Sequence, residues 1–110
     1  MTYKAIHRFA RISPRKARLV ADQIRGRRVD VAMTELQFSK KRAAWYLKAV
    51  LQSAIANAEE QDADVTRLVV CESRVDEGPV IKRWRPKDRG RAPPIRKPTS
   101  HLVVAVQESN

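Results

Sequence analysis

The chain is poor in the residues that build reactive sites. It has one cysteine, Cys71, and two histidines, His7 and His101, in 110 residues. A single thiol cannot close an internal disulfide, which suits a reducing compartment. One Cys with two His also supplies no zinc-ligand pattern, so neither a metal nor another cofactor is expected. The three glycines, Gly26, Gly78 and Gly90, stand far apart. No glycine-rich phosphate loop is therefore possible, and no GxSxG or HExxH string is present. No apolar run approaches the roughly 20 residues of a membrane span, and the opening residues MTYKAIHRFARISPRK lack the apolar centre of a signal peptide. These absences predict a cytoplasmic protein that is not an enzyme and does not engage a membrane.

What the chain does have is positive charge. Lys and Arg number 23 against 12 Asp and Glu, a formal net charge of +11. The excess lies at two poles in the sequence: residues 1 to 28 carry a net +8, residues 29 to 77 a net −3, and residues 78 to 101 a net +7. So much self-repulsion is tolerable when a polyanion neutralises it, and nucleic acid is the usual one. Solubility alone needs far less charge. The acids of the middle segment, Glu59, Glu60, Asp62 and Asp64, read as a polar helix end and turn rather than as a carboxylate site.

The pattern along the chain is that of one α+β domain spanning residues 1 to 110. Thr2 to Ile12 alternates Tyr3, Ala5, His7 and Phe9 with Lys4, Ile6, Arg8 and Ala10, which predicts a first strand with basic side chains on one face. Ser13 as N-cap and Pro14 at the first helical position open a helix through Ala17, Val20, Ala21 and Ile24, and Gly26 ends it. A short second helix is expected after Asp30, burying Ala32, Met33 and Leu36. A third, capped by Ser39, carries the stripe Ala44, Leu47, Leu51, Ala54, Ile55 and Ala58. Trp45 on that helix reads as core or helix-packing surface. Val65 to Val75 and Leu102 to Val106 are rich in β-branched residues and predict two more strands, with Cys71 as a buried structural thiol. Helices packed on one face of a small three-stranded antiparallel sheet follow from this order.

Between those last strands lies GPVIKRWRPKDRGRAPPIRKPTSH, residues 78 to 101, with eight Lys or Arg, one acid (Asp88) and five of the six prolines. No helix runs through so many prolines, and the connection is far longer than that of an ordinary hairpin. An extended β-hairpin arm over about residues 78 to 98 is expected. With about 11 residues per limb at ~3.3 Å each, it would reach roughly 35 Å. Its basic residues Lys82, Arg83, Arg85, Lys87, Arg89, Arg91, Arg96 and Lys97 follow neither a helical nor a strand period, which suits a winding polyanion such as folded RNA. Trp84 could stack on an exposed base, and the prolines stiffen the arm. Two helix starts also break a local rule: Arg15, Lys16 and Arg18 crowd the first, and Lys40, Lys41 and Arg42 the third, where the macrodipole is already positive. A bound phosphate would reverse the sign of that penalty. A DNA reader would want polar base-reading side chains along a helix, and a membrane-surface protein would want its charge on an amphipathic helix. The chain has neither.

The strings RISPRKARLVADQIRG (11 to 26), LQSAIANAEEQ (51 to 61) and VDEGPVIKRWRPKDRGRAPPIRKPTSHLVVAV (75 to 106) resemble, in order, the bacterial large-subunit ribosomal proteins of the L-twenty-two family. The resemblance implies a structural constituent of the large subunit, monomeric within the ribosome, that binds and organises large-subunit rRNA beside neighbouring ribosomal proteins. It implies in addition that the arm lines the peptide exit tunnel and meets the nascent chain at its tip. The residues expected to face rRNA are Arg8, Arg11, Arg15, Lys16, Arg18, Arg25, Arg27, Arg28, Lys40, Lys41, Lys82, Arg83, Arg85, Lys87, Arg89, Arg91, Arg96 and Lys97. The expected tip is Trp84, Arg85, Pro86, Lys87, Asp88, Arg89, Gly90 and Arg91. This chain departs from many relatives in Trp84, where an aliphatic residue is common, in Asp88, which interrupts the basic run, and in the pair Pro93 and Pro94.

Overall fold

The computed structural model describes residues 1–84 and 94–109. The elements run β1 (Thr2–Ala10), α1 (Pro14–Ile24), α2 (Val29–Phe38), α3 (Arg42–Glu60), a 3-10 turn (Val65–Arg67), β2 (Leu68–Glu77), β3 (Ile81–Trp84), β4 (Pro94–Lys97) and β5 (Ser100–Glu108). β1, β5 and β2 form an antiparallel sheet in that spatial order, and β3 pairs with β4 in a separate two-stranded ribbon. The expected α+β architecture is therefore present. β5, which follows β1 and β2 in sequence, is the central strand in space, so the sheet cannot close until β5 is available.

α3 lies across β1 and β5, α1 packs on β2, and α2 packs on α3. The core between them is built from Ala17, Val20, Ala21 and Ile24 of α1, Leu47, Val50, Leu51 and Ala54 of α3, and Leu68, Val70, Leu102, Val104 and Val106 of the sheet, all at most 3% exposed. The apolar stripes of α1 and α3 fall where the 3.6-residue period places them, except that Ile55 is half-buried. Alanines at 17, 21, 44, 54 and 58 let the helices approach closely.

Several local details depart from the sequence pattern, each for a visible reason. Lys41, not Ser39, is the N-cap of α3; the Ser39 hydroxyl instead accepts from the Lys41 amide at 3.3 Å in the preceding turn. α2 begins at Val29, ahead of Asp30, whose carboxylate accepts from the Val31 amide at 2.9 Å in its first turn. Val65 to Arg67 forms a 3-10 turn rather than strand, because Asp64 caps it by accepting from the Thr66 amide at 3.1 Å.

The two edge strands each carry one extra residue. In β2 Val70 faces Val106 and Glu72 faces Ala105, leaving Cys71 as a bulge. In β1 His7 faces Leu102 and Ala10 faces Ser100, three steps against two. A bulge shifts the alternation by one. The buried residues of β2 accordingly change parity from Leu68 and Val70 to Ser73 and Val75, and inward facing on β1 passes from Tyr3, Ala5 and His7 to Ala10. Cys71 is thus exposed, not buried as its neighbours suggested. Phe9 is turned outward, 60% exposed, with a φ of 59° that a strict strand would not allow.

The face of the sheet away from the helices is sealed by charged side chains. Val103 and Ala105 are almost fully buried there. Their cross-strand neighbours are Ile6 and Arg74 for Val103, and Lys4 and Glu72 for Ala105. The Lys4 ammonium reaches Glu72 at 3.7 Å across the central strand, and Arg74 pairs with both Glu72 and Asp76. The long aliphatic stems cover the small central residues while the charged heads stay wet.

Candidate nucleic-acid interface

Two of the motif strings that lie apart in sequence, 11 to 26 and 75 to 106, meet at the root of the arm. Gly78 donates its amide to the Thr99 carbonyl at 2.9 Å, and the Thr99 hydroxyl donates to the Pro79 carbonyl at 2.6 Å. A Cβ at position 78 would stand 2.5 Å from the Thr99 hydroxyl oxygen and 3.2 Å from its carbonyl carbon, so this crossing requires glycine. Next to it the buried Ser100 hydroxyl donates to the Ile12 carbonyl at 2.6 Å. This joins the arm's return limb to the loop before α1. Arg18 clamps the same corner, its Nε and Nη2 donating to the Val75 carbonyl at 3.2 and 3.0 Å.

Around this root opens a groove of about 570 Å³ lined by Arg11, Ile12, Ser13, Lys16, Arg42, Ile81, Arg96, Lys97, Pro98 and Thr99. Of its ten described lining residues five are basic and none is acidic. A smaller recess beside it, sharing Ile12, Lys16 and Arg42, adds Leu19, Lys41 and Ala43. The fold therefore brings the starts of α1 and α3 together with the root of the arm. Neither helix start has a side-chain cap: the Ser13 and Lys41 side chains make no capping bond. Free backbone donors and unneutralised cations thus face the same space.

The basic residues divide sharply by what they touch. The side chains of Arg8, Arg11, Arg15, Lys16, Lys40, Lys41, Arg96 and Lys97 make no hydrogen bond or ion pair with any described residue. Arg18, Arg25, Arg27 and Arg28, expected in the same role, are engaged by the fold. Arg25 pairs with Asp22 at 3.0 Å and donates to the Ser73 carbonyl. Arg27 pairs with Glu35 at 3.2 Å and donates to the Gln23 carbonyl at 2.8 Å. Arg28 donates to the Thr66 carbonyl at 3.1 Å. Gly26, in the left-handed region with a φ of 82°, turns the chain so that its amide meets the Val70 carbonyl at 2.8 Å, which places these arginines against β2.

On the arm, β3 and β4 pair in antiparallel register with Ile81 opposite Lys97, Lys82 opposite Arg96, Arg83 opposite Ile95 and Trp84 opposite Pro94. The expected tip from Arg85 through Arg91, with Pro93, lies outside the described residues. Within β3 and β4 the backbone bears out the two limbs of a hairpin.

Sequence reasoning marked Arg42 at the start of the third helix but left it out of the expected rRNA-facing set, and it misjudged Trp45. Arg42 lines both recesses and also holds Tyr46, its Nη2 donating to the phenol oxygen at 3.1 Å with the guanidinium 5.6 Å from the ring centroid. Trp45, expected as core or packing surface, is 70% exposed, because the stripe facing the sheet passes through Ala44 and Leu47 and leaves position 45 outside it. A lone aromatic amid Lys and Arg at helix spacing was the available signal.

A small α+β body whose uncompensated cations gather at the root of a cationic hairpin has the build of a ribonucleoprotein component. Residues 5–107 match the family described as ribosomal protein L22p/L17e. Over 102 residues, 92% of this chain and 80% of the relative, the sequence is 58% identical to the large ribosomal subunit protein uL22 of Rubrobacter xylanophilus. The chain belongs to the ribosomal protein L22p/L17e family. It is a structural constituent of the large ribosomal subunit and resides in the ribosome, in the cytoplasm.

Proposed function

We propose that this chain acts as one rRNA-binding domain whose primary contact with the large-subunit rRNA is the basic groove at the arm's root, and that the arm beyond it lines the peptide exit tunnel. The observation that carries the reading is the convergence of Arg11, Lys16, Arg42, Arg96 and Lys97 on one groove, with no acid among its described lining residues, beside two uncapped helix starts. Phosphates entering there meet backbone donors and cations that no described acid neutralises, so the penalty those charges impose on the free protein becomes a gain on binding. Polarity along α3 supports the same orientation. Lys40, Lys41 and Arg42 stand at its start, and Glu59, Glu60 and Asp62 at its end, about 28 Å away by helical rise. Both sets oppose the macrodipole, which disfavours the free helix at each end but turns the basic end to RNA and the acidic end away from it.

Tunnel lining rests on family membership and on the arm's composition. The sequence from Lys82 to Arg91 carries five further Arg or Lys residues beyond Lys82, and Trp84 through Arg91 would be the part that meets the nascent chain. Both histidines are taken up by aromatic packing, His7 edge-on against Tyr46 at 5.5 Å and His101 against Phe9 at 5.0 Å.

A filter-binding titration of the purified protein with protein-free large-subunit rRNA tests the electrostatic account. The eight unpartnered cations, if each meets a phosphate, give a slope of log K against log salt on the order of −6 to −7. A slope near −1 would remove the groove as the RNA contact.

A further inference from the structure

Trp45 is 70% exposed on α3. Single exposed apolar residues need no explanation. This indole differs because it is held in place. Its ring meets Tyr46 edge to face, with centroids 5.0 Å apart and planes at 76°. Tyr46 is in turn fixed by His7 of β1, edge-on at 5.5 Å, and by Arg42 through both its ring face and its hydroxyl. The rotamers beneath the indole are therefore set by folding, and little ordering entropy remains to be lost on binding.

The surroundings of the indole select its partner. Lys41, Arg42 and Lys48 lie one helical turn from it, and no acid occurs from Gln37 to Ala58. Beside this face, a groove of about 260 Å³ between β1 and α3 is lined by Ala5, Ile6, His7, Arg8, Ala49, Val50 and Ser53, again without an acid. Arg42 connects the aromatic cluster to the basic groove, since it lines that groove and holds Tyr46. An apolar protein partner would gain from the indole but would have to desolvate the cations around it. A nucleotide satisfies both, its base on the ring and its phosphates on Lys41, Lys48 or Arg8.

We propose that Trp45 is a stacking platform for an unpaired nucleotide of the RNA held by the basic groove. This rests on the RNA-binding reading above and adds to it a contact that carries no charge. Stacking of one base by an aromatic side chain is sequence-tolerant and changes affinity without changing the number of phosphates neutralised. The two kinds of contact are therefore separable by salt titration.

The experiment uses the full chain with Trp84→Phe as the reference protein, so that Trp45 is the single indole. Protein-free large-subunit rRNA is titrated in, with acrylamide as a neutral quencher because an ionic one would respond to the basic surface. The expected results are quenched emission, reduced access of acrylamide to the indole, and roughly tenfold weaker binding of the added Trp45→Ala variant at an unchanged salt slope. Trp45→Phe should keep part of the affinity. Because position 45 is exposed, both variants should retain the reference circular dichroism and melt. Steep salt-dependent binding with unaltered emission and equal affinity of the Ala variant overturns the stacking site while leaving RNA binding intact. Shielding of the indole only in assembled subunits, and not by protein-free rRNA, also overturns it, since a neighbouring protein then covers the ring. If the reference protein itself shows no RNA binding, the groove reading fails first and the stacking site with it.

Discussion

The two ends of α1 carry similar charge and do opposite things with it. At its start Arg11, Arg15 and Lys16 make no hydrogen bond or ion pair with any described residue, beside an uncapped helix terminus. At its end Arg25, Arg27 and Arg28 are tied to Asp22, Glu35 and the carbonyls of Gln23, Thr66 and Ser73. The first group imposes a cost on the isolated fold that a polyanion relieves. The second group is already satisfied, and much of its hydrogen-bonding capacity is used where α1 meets β2. A basic residue therefore indicates RNA contact only once its neighbours are known. The net +8 of residues 1 to 28 is, in this sense, two populations.

The strongest way to break this comparison is to neutralise each end separately. A triple Ala variant at Arg11, Arg15 and Lys16 should weaken RNA binding by roughly a hundredfold at 0.1 M salt and flatten the salt slope by about 2 to 3, with the thermal midpoint unchanged or raised. The matching triple at Arg25, Arg27 and Arg28 should do the reverse, lowering the midpoint while leaving the slope within about 1 of the parent. Equal slope losses in the two variants would erase the distinction.

Arg18 sharpens the comparison because it stands between the two groups. With two hydrogen bonds to the Val75 carbonyl, it belongs with the satisfied arginines although it is only two residues from Lys16. Arg18→Ala should destabilise the fold by roughly 1.5 to 3 kcal/mol, the range for hydrogen bonds from a charged donor. Urea denaturation reads this directly, and a loss below about 0.5 kcal/mol would move Arg18 into the set proposed to face RNA.

The smallest effect concerns the acidic end of the molecule. The Asp64 carboxyl is held below its ordinary value of 3.8, first by the Thr66 hydroxyl, then by the Thr66 amide, with a contribution from Arg67. A depressed folded pKa contributes stability above the unfolded value and loses it as pH falls through the folded one. The wild type should thus lose slightly more stability than Asp64→Asn as pH falls from about 5 to below 3.8. Acid melts that superimpose would mean the Thr66 contacts do not favour the charged form.

Much of this was legible in the chain. The 3.6-residue spacing of Ala17, Val20, Ala21 and Ile24 placed α1, and Pro14 with Gly26 bounded it, because steric and hydrogen-bonding limits on those residue types act locally. The cationic arm was equally plain, since five prolines among eight basic residues leave few other structures. The bulges were not legible. An extra residue at Cys71 or before Ala10 is defined by the register against β5, and β5 comes last in the sequence. For the same reason Cys71 read as buried and Phe9 was grouped with Tyr3, Ala5 and His7.

Composition and spacing by themselves determined the class of the fold, the arm and the demand for a polyanion, because each depends on residue type and local period. Tertiary structure alone decided which cations are left over. Charge does not identify its own partner: Arg25 meets Asp22 within its own turn, but Arg18 finds the Val75 carbonyl 57 residues away, and Arg11 and Lys16 find the arm's root only after β5 has closed the sheet.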